Sequence, residues 1–166
     1  MEQSRLLKTS WVLYTIFLVG ALVLSAANIA RPMRFYVGDV YEAYVGESWD
    51  TLVAQEPKKA NLYENFSRYG AAWVSSATLL ALFITLAAYR HGQRWAWIAL
   101  LAGLLAGQVV SLSLSSRIGG LAGTPHDVSW LCVGLVILLL PVKEMLGVKT
   151  SPAKPRPAGA LGEAKA

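Results

Sequence analysis

Residues 124–130 read TPHDVSW, and they hold the sharpest candidate for chemistry in the chain. His126 stands directly before Asp127, and an imidazole beside an acid is a pairing that general acid–base catalysis uses. Catalysis would also need a nucleophile or a metal within about 3 Å of the imidazole. Arg117, Ser115 and the loop acids could complete such a site only through tertiary contacts. A second account uses the same residues differently. Thr124-x-x-Asp127 is a capping box with Asp in place of the usual Glu or Gln, so hydroxyl and carboxylate satisfy each other's backbone N–H groups. Pro125 then takes the first helical position, where its missing N–H costs nothing, and Asp127 meets the positive end of the helix dipole. Every residue except His126 has a task in that account, and it is preferred. The heptapeptide starts a helix.

Other polar candidates are few. Gln108 is the most polar residue deep in an apolar stretch, and a buried amide there wants a partner. Ser75, Ser76 or Thr78 could supply one from a neighbouring helix. Alternatively, Gln108, Ser111 and Asn28 form the polar lining of a ligand cavity. Cys132 is the only cysteine, which excludes an intramolecular disulfide, a CxxC pair and a thiolate metal cluster. The two histidines, His91 and His126, fall at opposite ends of the apolar segments and cannot share a metal. No P-loop, GxGxxG or GxSxG occurs, so no metal or cofactor is expected. The basic residues form no stripe with interleaved aromatics, which argues against nucleic acid as a partner.

The elements that must position these residues belong in a membrane. Of 166 residues, 55% are apolar and 15% charged, against roughly a quarter charged in a soluble domain. Stretches 11–30, 69–89, 95–116 and 128–142 contain no Asp, Glu, Lys or Arg. A bilayer core about 30 Å thick needs about 20 helical residues. The first three stretches suffice, and Lys143 can snorkel so that the fourth extends to residue 146. Backbone groups in lipid must pair within their own segment. The expected fold is therefore all-α: a polytopic four-transmembrane-helix bundle with spans at about 11–30, 69–89, 95–116 and 128–146.

Charge orients it. With both termini cytoplasmic, the inner segments hold nine Lys and Arg against three acids, and the outer segments six against seven. That excess inside is a topology signal for a plasma-membrane protein. Trp11, Tyr14, Tyr89, Trp95 and Trp97 mark the inner boundary, and Tyr69, Trp73 and Trp130 the outer one. Arg5, Lys8, the first apolar run and Ser25-Ala26-Ala27 also fit a cleavable signal peptide. The run is long for such a core, which favours an uncleaved first span.

Residues 31–68 form the sizeable outer loop. Ser48 is a good N-cap, with Trp49, Leu52 and Val53 on one helical face behind it. Pro57 ends that helix and can open the next, and Leu62, Phe66, Tyr69 and Trp73 run at helical spacing into the second span. Two or three short amphipathic helices on the outer surface are expected, as a cap or as a lid over a pocket. In the third span Ala99, Gly103, Gly107, Ser111 and Ser115 repeat every four residues, a face that lets a neighbouring backbone approach. Ala77, Ala81 and Thr85 are its expected partner on the second span, with homodimerisation the lesser use. Gly119-x-x-x-Gly123 reads as turn geometry. Pro141 should kink the fourth span modestly, and the Pro-, Ala- and Lys-rich tail 148–166 should be disordered in the cytoplasm.

A resemblance rests on GESWDTLVAQEP leading through SRYG into the second span, and on YRHGQRWAW before the third. In its order of parts the chain resembles small bacterial DoxX-like membrane proteins and, more distantly, the EXPERA domain of sterol-handling proteins. EXPERA enzymes use acidic residues within the membrane to stabilise a cationic intermediate. The four apolar stretches contain none, so that activity is not carried over. The resemblance implies a fold more than a role.

Three functions are compatible with these residues. The leading one is a non-catalytic membrane protein, either an accessory subunit for a membrane partner or a binder of a lipid or isoprenoid within the bundle. The second is a lipid-modifying enzyme at the outer leaflet through His126, Asp127 and Arg117. The third is a small oligomeric exporter.

Overall fold

The computed structural model describes residues 4–31, 34–118 and 124–147. Regular structure among them is helical throughout: α1 (Arg5–Ala30), α2 (Arg34–Val45), α3 (Trp49–Gln55), α4 (Pro57–Ala87), a 3-10 turn (Tyr89–His91), α5 (Arg94–Ile118), α6 (Thr124–Leu139) and α7 (Val142–Met145). Three segments are long and apolar enough to cross a membrane: Arg5–Ala30, Pro57–His91 and Arg94–Arg117. Their outward faces are apolar, with Ile16, Val23, Phe83 and Val109 all more than 60% exposed. Water opposes such faces and lipid accepts them. The expected tail at 148–166 and the Gly119–Gly123 turn lie outside the described residues.

α1 packs chiefly along α4, and α5 chiefly along α6, while α4 and α5 touch far less. One end of the bundle is dense. Leu7, Tyr14, Leu18, Tyr89, Trp97 and Leu138 form its buried core. Gly92 closes the α4–α5 connection there at φ 74°, with Leu7 Cδ2 only 3.2 Å from where a Cβ would stand. A left-handed, crowded position of this kind suits glycine alone. Ser4 caps α1 by accepting the Leu7 N–H at 3.2 Å, and its hydroxyl donates to Glu144 of α7.

The fourth apolar segment departs from expectation. The sequence places a span at 128–146 with a modest kink. The helix instead begins at Thr124 and ends at Leu139, before a turn at Leu140–Pro141. Its 16 residues cover about 24 Å, short of a bilayer core of about 30 Å. Pro141 explains the break: without an N–H it cannot bond the carbonyl of Ile137. Ser10 Oγ donates to that carbonyl at 2.6 Å and lies 2.5 Å from Tyr89 Oη. Trp97 Nε1 donates to the next carbonyl, Leu138, at 2.8 Å. A carbonyl left unpaired in apolar surroundings costs about 1–3 kcal/mol. Donors from α1 and α5 therefore tie the broken helix into the dense end.

At the other end α2 and α3 fold back onto α4. Ser48 caps α3, accepting the Asp50 N–H at 3.3 Å, and Glu42 of α2 accepts the Trp49 N–H at 2.9 Å. Tyr41, Trp49, Leu52 and Ala60 are buried together with Val37 against them. Tyr41, Trp49 and Tyr63 meet edge to face at 5.5–6.4 Å, a geometry worth roughly 0.5–1.5 kcal/mol per pair beyond area burial. Val53, expected on the same face, is 44% exposed. Pro57 opens α4, and Leu62, Phe66, Tyr69 and Trp73 all lie on this one unbroken 31-residue helix.

Candidate functional site

Toward the α2–α3 end the two helix pairs diverge and leave a cavity of about 620 Å³ between α1, α4, α5 and α6. One face of each helix lines it. On α1 the lining runs from Tyr14 through Leu18, Ala21 and Ser25 to Asn28, a rise of about 21 Å. Val74, Ala77, Leu80 and Ala81 line it from α4, and Ala99, Gly103, Gly107 and Ser111 from α5. His126, Asp127 and Trp130 close the α6 side.

The small-residue stripe on α5 is thus not the packing face that its spacing suggests. A Cβ added at Gly103 or at Gly107 would meet nothing within 4 Å. Ala77 and Ala81 line the same space, so the two stripes face each other across a void. The close α5 contact is with α6 instead. At Gly134 a Cβ would stand 2.8 Å from Leu104 Cδ2, and there the glycine does admit a neighbour. Sequence spacing shows which residues share a face, but it does not show whether that face is filled.

The polar lining gathers at one end. Asn28 Nδ2 donates to Ser67 Oγ of α4 at 3.0 Å. Ser111 Oγ donates to Asp127 Oδ2 at 2.8 Å, joining α5 to α6. Gln108 lies one turn below Ser111, and its Oε1 is buried with no hydrogen-bond partner among the described residues. The interhelical bond expected from Gln108 Oε1 to Ser75, Ser76 or Thr78 does not form. Ser76 donates to the Ala72 carbonyl of its own helix, and Ser75 Oγ is itself buried and unpartnered. Below this polar end the lining is aliphatic and aromatic down to Tyr14. Tyr14 stacks on Phe17 with centroids 5.7 Å apart, and Phe17 meets Trp130 at 4.9 Å.

Asp127 stands in the first turn of α6, where the capping-box reading puts it, and it also lines the cavity wall, which the acid-free apolar stretches did not suggest. Thr124 is already in the helix, one position inside the N-cap role expected for it, and the acid bonds a hydroxyl of α5. His126 also lines the cavity, its ring 5.9 Å from that of Trp130. Arg117 sits in the last turn of α5, exposed and outside the lining. The catalytic trio His126, Asp127 and Arg117 is therefore not assembled around this cavity. Gln108, Ser111 and Asn28 do line it together.

Among the described residues no group of three or more His, Cys, Asp or Glu is placed to hold a metal. Cys132 is exposed on α6. Comparison with known proteins finds no matching family model, curated protein or solved structure.

Proposed function

We propose that this protein is a non-catalytic integral membrane protein that binds one lipid or isoprenoid molecule in the cavity between its helices. The observation that carries this reading is the polarity of the lining, apolar over most of its depth and hydrogen-bonding at one end. A lipid has the same division. The depth of about 21 Å exceeds the roughly 15 Å of one leaflet in a bilayer core about 30 Å thick. An extended tail therefore fits along α1. The dense end at Tyr89, Trp97 and Leu138 closes the floor, and the sparse α4–α5 contact offers the tail a way in from the bilayer.

In this reading α6, the Pro141 turn and α7 together make a fourth crossing of the plasma membrane. Both termini are cytoplasmic, in keeping with the inner excess of Lys and Arg. α2 and α3 then lie at the outer surface, next to the polar end of the cavity. A photoactivatable lipid with a diazirine in its tail tests the proposal. Crosslinks at Phe17, Leu18, Gly103 or Trp130 are expected. Labelling confined to outward residues such as Ile16, Phe83 and Val109 would reject it.

A further inference from the structure

Resting on that proposal of lipid binding, we infer that the cavity is a slot for one hydrocarbon chain of about sixteen carbons, with Tyr14, Ile84 and Leu100 as the stop that limits its length. Volume and depth reach that number separately. A leucine side chain has four carbons and leaves a dry cavity of roughly 150 Å³ when it is removed. At that rate the 620 Å³ present holds about sixteen carbons. Bonds of about 1.5 Å at tetrahedral angles advance an extended chain by about 1.25 Å per carbon. The rise of about 21 Å from Tyr14 to Asn28 along α1 then takes about seventeen carbons. A slot two chains wide would hold twice as many carbons as its depth takes. The two counts agree, so one chain fills it.

The stop is built from three helices. Tyr14 and Ile84 are the lining residues of α1 and α4 nearest the dense end, and Leu100 belongs to the first turn of the lining on α5. Tyr14 and Leu100 are part of the buried core, and Ile84 packs against it. Beyond them Tyr89 and Ala96 are fully buried, so a longer chain has nowhere to continue. Gly103 stands about one turn above Leu100, with nothing within 4 Å of an added Cβ. A leucine there takes the room of about four carbons, and truncating Leu100 adds as much below. The chain belongs either to a single-tail lipid or to a two-tail lipid whose second tail stays in the bilayer.

The test uses the full chain in nanodiscs. A hexadecanol dibrominated at mid-chain quenches Trp130, which lines the cavity, with Trp130→Phe giving the background. Unlabelled dodecanol, hexadecanol, eicosanol and tetracosanol then displace it, compared at equal mole fraction in the bilayer so that partitioning cancels. Hexadecanol should displace at least ten-fold better than dodecanol or tetracosanol. Gly103→Leu should move the optimum to dodecanol and Leu100→Ala to eicosanol, and binding of the new optimum shows that each variant is folded. Gly20→Leu adds the same bulk outside the lining and should leave the optimum at hexadecanol. Displacement independent of length, or an optimum that stays at hexadecanol in Gly103→Leu or Leu100→Ala, would overturn the inference and leave the cavity as a lipid site. Dihexadecanoylglycerol displacing as well as hexadecanol assigns the one chain to a two-tail lipid, and displacing at least ten-fold more weakly assigns it to a single-tail lipid. Failure of the brominated alcohol to quench Trp130 would instead remove the lipid-binding proposal beneath it.

Discussion

Replacing Gly107 with leucine sets the two uses of the α5 stripe against each other, because they predict effects of opposite sign on stability. If the stripe packs against a backbone, a leucine there overfills a close contact and costs about 1–3 kcal/mol. The structure leaves the position open, with nothing within 4 Å of an added Cβ. The substitution then removes a helix-interior glycine, worth up to about 0.8 kcal/mol in its favour. Removing one leucine side chain from a packed core opens a dry cavity of roughly 150 Å³. Adding one should fill about a quarter of the 620 Å³ present. Gly107→Leu should therefore unfold at the same or a higher denaturant concentration while its lipid binding falls at least ten-fold. Unfolding in mixed micelles, followed by circular dichroism, gives the first quantity, and Trp130 quenching the second. A loss of about 2 kcal/mol or more in stability would refute the open-face geometry.

Four further outcomes follow from the same contacts. Trp97→Phe leaves the Leu138 carbonyl without its donor and should cost about 1–3 kcal/mol in the same unfolding assay. Ser10→Ala should cost a similar amount, and the loss should shrink in a Pro141→Ala background, where a backbone N–H can reach Ile137 again; equal losses in both backgrounds would break the link between proline and serine. Ser48→Ala should cost about 1 kcal/mol locally, seen as faster amide exchange across α3 with exchange in α5 unchanged. Burial, and then the Glu47 carboxylate that its hydroxyl bonds at 3.0 Å, hold the Tyr41 phenol above its ordinary value. Since its folded value is the higher one, its contribution to stability is complete below about pH 10 and is lost as pH rises through the raised value. Ultraviolet difference titration of wild type against Tyr41→Phe should show that shift, and Glu47→Gln should reduce it.

The long helices were legible because lipid enforces a simple rule: apolar side chains outside and every backbone group paired within the segment. Local signals held equally well. Ser48 caps α3 and Pro57 opens α4 because both act through backbone groups of their own turn. The break at Pro141 was visible as a weak point but not as a break. Its depth depends on Ser10 and Trp97, which lie far away in sequence and take over the released carbonyls. The polar lining of a cavity was legible as an alternative, but that the small-residue stripe faces the cavity was hidden for a related reason. Gly103 and Gly107 carry the same spacing whether the facing helix is near or distant, and that distance is a tertiary property. Ser111 and Gln108 one turn away were the available hint, since a packing face has little use for two polar groups at its end. Asp127 was legible as a residue of the first helical turn, but its place on the cavity wall depends on how α6 packs against α5.

Native mass spectrometry of the protein released from membranes in a mild detergent tests lipid occupancy most directly, with wild type and Gly107→Leu run side by side. The expected result is a wild-type monomer that retains one defined lipid mass through activation, and a folded Gly107→Leu variant that flies bare. A bare wild type, or the same lipid retained equally by both proteins, would contradict binding within the cavity.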